Sequence, residues 1–305
     1  MRHHTCGARV DRRGGARYAV SMPRARVNDI DLYYEVHGQG EPLLFISGLG
    51  GHLAEIPHLV ESHREHVRFI PFDGRGCGRS DTPAGEYTIS GYADDAAGLL
   101  DVLGIPAAFV YGSSMGGMVA QELVLRHPRR VRGLILGCTT PGALRGERPA
   151  NATVQRMIAN LSLSGDEALV AGWKLGYSDA YIDANYDAMI ARSRQSSQYG
   201  APRDSYLRQV SAAARHDTHD RLHEIACPVM IIHGRDDAMM PVRNAELLKD
   251  GIPHAELHIL DGMGHGYNLE AQGVADALVL DFVRRHSVGE SANADGAAST
   301  THAVR

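Results

Sequence analysis

Six short apolar runs punctuate the chain: PLLFISG from Pro42, VRFIPFDG from Val67, AAFVYG from Ala107, VRGLILGC from Val131, CPVMIIHG from Cys227 and AELHILDG from Ala255. Each is apolar without alternation and ends in turn residues, the pattern of a strand buried on both faces of a parallel sheet. Ahead of them, RVNDIDLYYEVHG from Arg26 alternates apolar and polar positions and predicts an antiparallel hairpin at the sheet edge. Helical spacing over Ile89–Leu103, Met115–Arg126, Val242–Leu248 and Val274–His286 falls between the runs. Strand and helix therefore alternate, and the expected class is α/β: a mostly parallel, eight-stranded sheet flanked by helices.

One stretch breaks the alternation. From 141 to 222 there are helical patterns such as TVQRMIANL and SYLRQVSAAA but no convincing strand, which predicts a helical insertion forming a lid over the C-terminal edge of the sheet. The core is then 22–140 with 223–286. Residues 1–21 are Arg-rich without an apolar core segment, so they read as an unstructured extension ahead of a start near Met22 rather than a secretory signal. The small, polar residues 287–305 read as a disordered tail.

Composition removes several function classes. Net charge is −5 with the signs interspersed, so there is no basic stripe to grip a phosphate backbone and nucleic acid is not an expected partner. No apolar run approaches the roughly 18 residues that cross a bilayer, so no membrane is expected. Cys6, Cys77, Cys138 and Cys227 are scattered without CxxC spacing, which predicts free thiols, a cytoplasmic location and no zinc site. His, Asp and Glu show no metal-ligand spacing such as HExxH, so neither metal nor cofactor is expected.

The first chemical signal is FVYGSSMGGMVAQ, from Phe109. A strand runs into Gly112-Ser113-Ser114-Met115-Gly116 and then into a helix, the Gly-x-Ser-x-Gly frame of a nucleophile elbow. Strand and helix pass so closely at such a turn that its flanking positions must be small. Only Ser114 has glycine on both sides at two residues' distance, so it is the candidate nucleophile, with Ser113 packing the elbow. The Met115 N–H, at the helix start, points where an oxyanion would form. A second donor is expected from the glycine-rich FISGLGGH after an earlier strand, as the Leu49 N–H.

Acid and base follow later strands. IIHGRDDAMMP offers Asp236 and Asp237; Asp237 is chosen as the acid, with Asp236 and Glu270 as fallbacks. LDGMGHGYNLE places His265 between two glycines, which would free the loop to reach back to Ser114. The order Ser114, Asp237, His265 matches one particular fold. His37 and His233 read as turn residues, and His216 and His219 as locally bonded. Substrate contacts are expected from Gly48, His52, Ser113, Trp173, Tyr177 and Met239, with Tyr181, Tyr186, Met157 and Leu161 also candidates for the inner face of the insertion.

Together these segments resemble the α/β-hydrolase superfamily, serine-nucleophile branch. SGLGG, FDGRGCGRSD, GSSMGG, HGRDDAMMP and GMGHGYNLE occur in the family's order over Arg26–His286. SGLGG, GRSDTPAGEYTISGYADDAAGLLDVLGI and RLHEIACPVMIIHGRDDAMMP look most like 3-oxoadipate enol-lactonases and small carboxylesterases, although Ser47-Gly48 stands where many relatives carry His-Gly. The resemblance implies an architectural role for Asp73–Asp81. It also implies a hydrolase that cleaves a carboxylic ester or lactone of a small to medium apolar substrate through an acyl-enzyme. Acyl transfer, perhydrolysis or carbon–carbon hydrolysis on the same triad are the alternatives, and a non-catalytic ligand-binding member is a further one.

Overall fold

A computed structural model describes residues 24–287. The expected extension 1–21, and all of the expected tail 287–305 beyond its first residue, lie outside the described residues. Eight strands form: β1 Arg24–Val27, β2 Ile30–Tyr33, β3 Pro42–Ile46, β4 Arg68–Phe72, β5 Ala108–Ser113, β6 Val131–Gly137, β7 Val229–Gly234 and β8 Glu256–Leu260. Helices α1 Pro57–His63, α2 Ile89–Val102, α3 Met115–Arg126, α8 Arg243–Gly251, α9 Tyr267–Glu270 and α10 Gln272–His286 connect them. Helices α4 Asn151–Asn160, α5 Gly165–Gly176, α6 Asp179–Ser196 and α7 Arg203–Ala214 stand between β6 and β7.

The expected eight-stranded sheet is corrected to six strands plus a separate pair. Strands β3 to β8 form one parallel sheet in the order β4-β3-β5-β6-β7-β8, while β1 and β2 pair only with each other. The hairpin does not extend the sheet because its apolar positions are spent elsewhere. Ala25, Val27, Ile30 and Leu32 are buried in the cluster that holds Ala93, Ala96, Ala97 and Leu100 of α2. Gly98 lets Val27 in, since a Cβ there would stand 2.6 Å from its Cγ1. The isolated β-bridges to the sheet come from the chain after the hairpin, at Tyr34–Phe72 and His37–Phe69.

Alternate residues of the parallel strands feed two cores, as the two-residue period of a strand requires. Leu44, Ile70, Val110, Leu134 and Ile231 face α2, α3 and α8. Leu43, Phe69, Phe109, Ile135 and Met230 face α1 and α10. Because every sheet strand runs the same way, the loops after β3, β5, β6, β7 and β8 emerge at one edge, where open α/β sheets bind ligands.

The Asp73–Asp81 loop braces that edge. Asp73 is buried, and its carboxylate accepts the Leu53 N–H at 2.7 Å and the Arg79 N–H at 2.8 Å. Gly78, at φ +62°, is required there because a Cβ would lie 2.1 Å from an Asp73 carboxylate oxygen.

Candidate active site

Ser114 caps the N-terminus of α3 with φ 57° and ψ −121°, a backbone conformation that side chains other than glycine seldom adopt. Its backbone is held on both sides: the Ser114 N–H donates to Gly137 O at 2.8 Å, and Ser114 O accepts from the Gly117 N–H at 2.9 Å, from the Met118 N–H at 3.4 Å and from Thr139 Oγ1 at 2.8 Å. The glycine frame is steric. A Cβ on Gly112 would meet Gly116 O at 2.2 Å, and one on Gly116 would meet Ile46 O at 2.0 Å, so β3, β5 and α3 converge where no side chain fits. Among the described residues, neither the Met115 N–H nor the Leu49 N–H has an acceptor. The Leu49 loop is shaped by a Gly51 N–H to Gly48 O bond of 3.1 Å and tethered from outside, since the Gly50 N–H donates to Gln209 Oε1 of α7 at 2.8 Å.

His265 Nδ1 lies 2.7 Å from Asp237 Oδ2. The other oxygen, Oδ1, accepts the N–H groups of Met239 and Met240 at 2.9 and 2.8 Å. His233, fully buried, bonds Met240 O at 2.7 Å and stands 3.4 Å from the same Asp237 Oδ2. Burial works against a charged Asp237, but the charges and hydrogen bonds of His265 and His233 outweigh it and hold its carboxyl far below the usual range. Burial also opposes a charged His265, but Cys138 and Asp237 more than offset that and raise it well above an ordinary histidine. Asp236, one residue away, is exposed, and Glu270 accepts the hydroxyl of Ser178 instead of reaching the imidazole.

The glycines beside His265 have a different reason from the expected loop freedom. Neither carries a positive φ. They are small because the end of α5 packs on them: a Cβ on Gly264 would sit 2.6 Å from Gly176 O, and one on Gly266 would sit 2.1 Å from the Tyr177 ring. The Gly266 N–H donates to Gly176 O at 2.8 Å.

Ser114 and His265 line one cavity of about 550 Å³, together with Gly48, Leu49, Ser113, Trp173, Tyr177 and Met239. Among the described residues no hydrogen bond joins Ser114 Oγ to His265; such contacts often tighten only around substrate. Met157 and Leu161 are in the wall, whereas Tyr181 and Tyr186 are not. His52 is a correction: it is buried outside the cavity wall, 3.5 Å from Glu55 and edge-on to Tyr199. Burial pushes it down to about 4, so it stays neutral.

Among the wall residues that sequence reasoning missed are Glu55, His58 and Arg192, because each follows from how distant segments meet. Desolvation by its surroundings pushes Glu55 up to about 7, although about half of its side chain, 51%, is exposed. Burial, with the Arg192 charge adding to it, pushes His58 down to about 4. Arg192 on α6 has no carboxylate within 4.0 Å among the described residues. Cys138, at the tip of β6, was also missed. It has φ 38°, and its Sγ lies 3.4 Å from Ser113 Oγ.

The same arrangement of strands and loops is found in known proteins. The family model described as the alpha/beta hydrolase fold matches residues 41–272. The chain is 30% identical over 262 residues to the putative carbamate hydrolase RutD of Azorhizobium caulinodans, covering 86% of this chain and 98% of that one. It is 31% identical over 269 residues to the 2-hydroxymuconate semialdehyde hydrolase of a Pseudomonas species, covering 81% and 88%. Among solved structures, the enol-lactonase of Burkholderia xenovorans LB400 superposes with a TM-score of 0.75 at 24% identity, covering 86% of this chain and 100% of that one. With a family match over most of the chain, an elbow serine at the tip of β5 and a histidine–carboxylate pair after β7 and β8, this protein belongs to the alpha/beta hydrolase family.

Proposed function

We propose that the protein is a serine hydrolase that cleaves a carboxylic ester or lactone whose substrate also carries a carboxylate. The observation that supports this most is the convergence on one cavity of Ser114, His265 and the guanidinium of Arg192, which has no ion-pair partner among the described residues. Ser114 Oγ attacks the carbonyl carbon while His265 Nε2 takes its proton, and the carbonyl oxygen takes the negative charge. The Leu49 and Met115 N–H groups receive that charge, each donor contributing on the order of 3 kcal/mol in sites of this kind. Asp237 keeps the His265 proton on Nδ1 and faces the imidazolium. The leaving oxygen departs with the proton from His265. Water, deprotonated by the same imidazole, then releases the acid and restores Ser114.

Arg192 orients rather than reacts. A guanidinium on a cavity wall without its own carboxylate offers a two-pronged, charge-assisted hold on a substrate carboxylate. Carbon–carbon hydrolysis is the second reading. One curated relative is a 2-hydroxymuconate semialdehyde hydrolase, and the same serine and histidine could serve a vinylogous acid.

A panel of neutral p-nitrophenyl esters, carboxylate-bearing esters and lactones, a carbamate and a dienoic keto acid tests both. Ester or lactone turnover that Ser114→Ala lowers about 10⁴-fold or more is expected. Arg192→Leu should raise KM for the carboxylate-bearing substrates about 10- to 100-fold and hardly change the neutral ones. Ser114→Ala retaining full activity would refute the assignment, and preference for the keto acid would install the second reading.

A further inference from the structure

Cys138 is part of a tighter cluster than the proposed chemistry requires. Its thiol, a carboxylate oxygen of Asp237 and a ring nitrogen of His265 all lie within 4.8 Å of one another. Cys138 is 1% exposed and Asp237 4%, so both sit in protein, while His265 opens onto the cavity. A tetrahedral cation with bonds of about 2.0–2.3 Å sets its donors about 3.3–3.7 Å apart, so binding draws the donors together from a spread of at most 4.8 Å. Thiolate, imidazole and carboxylate together form a donor set that suits zinc and softer divalent cations rather than magnesium or calcium.

We propose that Cys138, Asp237 and His265 form an inhibitory site for a thiophilic divalent cation of the zinc class. The cation is not a cofactor here. Binding forms one bond each to sulfur, nitrogen and oxygen, with water from the cavity completing the shell. The Cys138 thiol gives its proton to solvent, and the imidazole stays neutral with its proton on the nitrogen the metal does not hold. Either choice of nitrogen stops turnover. Metal on Nδ1 displaces the Asp237 hydrogen bond and moves the proton to Nε2, which then cannot accept from Ser114. Metal on Nε2 occupies the position that must take that proton. Inhibition rests on the proposed triad; occupancy does not.

The probe is Cd²⁺ alone, titrated into the full chain. Binding is followed by the ultraviolet charge-transfer absorption of a cadmium–thiolate bond, and inhibition by ester hydrolysis in parallel. The expected band saturates at one cation per chain, reverses with a chelator, is displaced by Zn²⁺ and tracks the loss of rate. Cys138→Ser should abolish it and, relative to its own uninhibited rate, raise the half-inhibitory concentration about 10- to 100-fold. His265→Gln should weaken band formation about 10-fold or more. Cys6→Ser and Cys227→Ser should leave band and inhibition as they are. A band that survives Cys138→Ser, vanishes with Cys227→Ser, or saturates without loss of hydrolysis overturns the proposal. Because the band needs no turnover, a chain that binds Cd²⁺ but hydrolyses no ester counts against the Ser114 reading and leaves the cation site standing.

Discussion

Asp236 and Asp237 differ by a single position, and the difference is burial. The strand end at Gly234 made a carboxylate at this point legible, and the turn that follows β7 buries Asp237 against His265 while leaving Asp236 exposed. Asp237→Asn should lower kcat/KM about 10²- to 10⁴-fold, with Asp236→Asn within a few-fold of the parent, measured on one ester at saturating and limiting concentration. The pH profile carries a second signature. His265 must be neutral to accept a proton, and its neighbours raise it well above 6.5, so kcat/KM should rise with pH through a midpoint above that of free histidine. Asp237→Asn should move that midpoint down; an unmoved midpoint would assign the limb to another group. Arg192 and Cys138 left no comparable trace in the sequence. An arginine in a helix and a cysteine after a strand look ordinary until the fold shows what they stand beside.

At the scale of elements, all six sheet strands were legible because an unbroken apolar run between turn residues has few other uses in a chain of this composition. The hairpin was legible as a hairpin but not as a separate sheet. Alternation reports that one face is buried, not against what, and here α2 rather than β4 does the covering. The glycines around His265 were seen and misread for a related reason: their demand comes from Gly176 and Tyr177, about ninety residues earlier. Gly266→Ala should therefore lower both stability, by about 1–3 kcal/mol, and activity, and Tyr177→Leu should restore part of the stability. Gly273→Ala in α10, where an added Cβ meets nothing within 4 Å, is the control and should be neutral or stabilising by about 0.5–1 kcal/mol. Denaturant midpoints of the three variants decide between packing and loop freedom.

Across the whole molecule, histidines shielded from water should make the fold less stable in acid. His52, His58 and His216 are each pushed down by burial to about 4, below the 6.5 of an unfolded chain. Between those values the unfolded chain binds more protons, so their contribution to stability is complete above pH 6.5 and is lost as pH falls toward 4. Glu55, pushed up to about 7 from 4.5, has the opposite sign over an overlapping window. His216 isolates the effect, being buried away from the cavity wall with Nδ1 unpartnered among the described residues. The difference in unfolding free energy between parent and His216→Asn should change by about 1–3 kcal/mol from pH 7 to pH 4.5, with the parent losing more; parallel curves would contradict it.

Two hydrogen bonds join the helical segment 141–222 to the loops that carry Leu49 and His265. Gln209 of α7 accepts from the Gly50 N–H, and Gly176 at the end of α5 accepts from the Gly266 N–H. The segment therefore ties down two loops at the sheet edge as well as lining the cavity. Recombining this core with the helices of a relative to change its substrate is then a problem of matching anchor points. A transplant that supplies a new wall but no acceptor at these two places would keep the elbow intact and leave the loops that carry Leu49 and His265 to find their own positions.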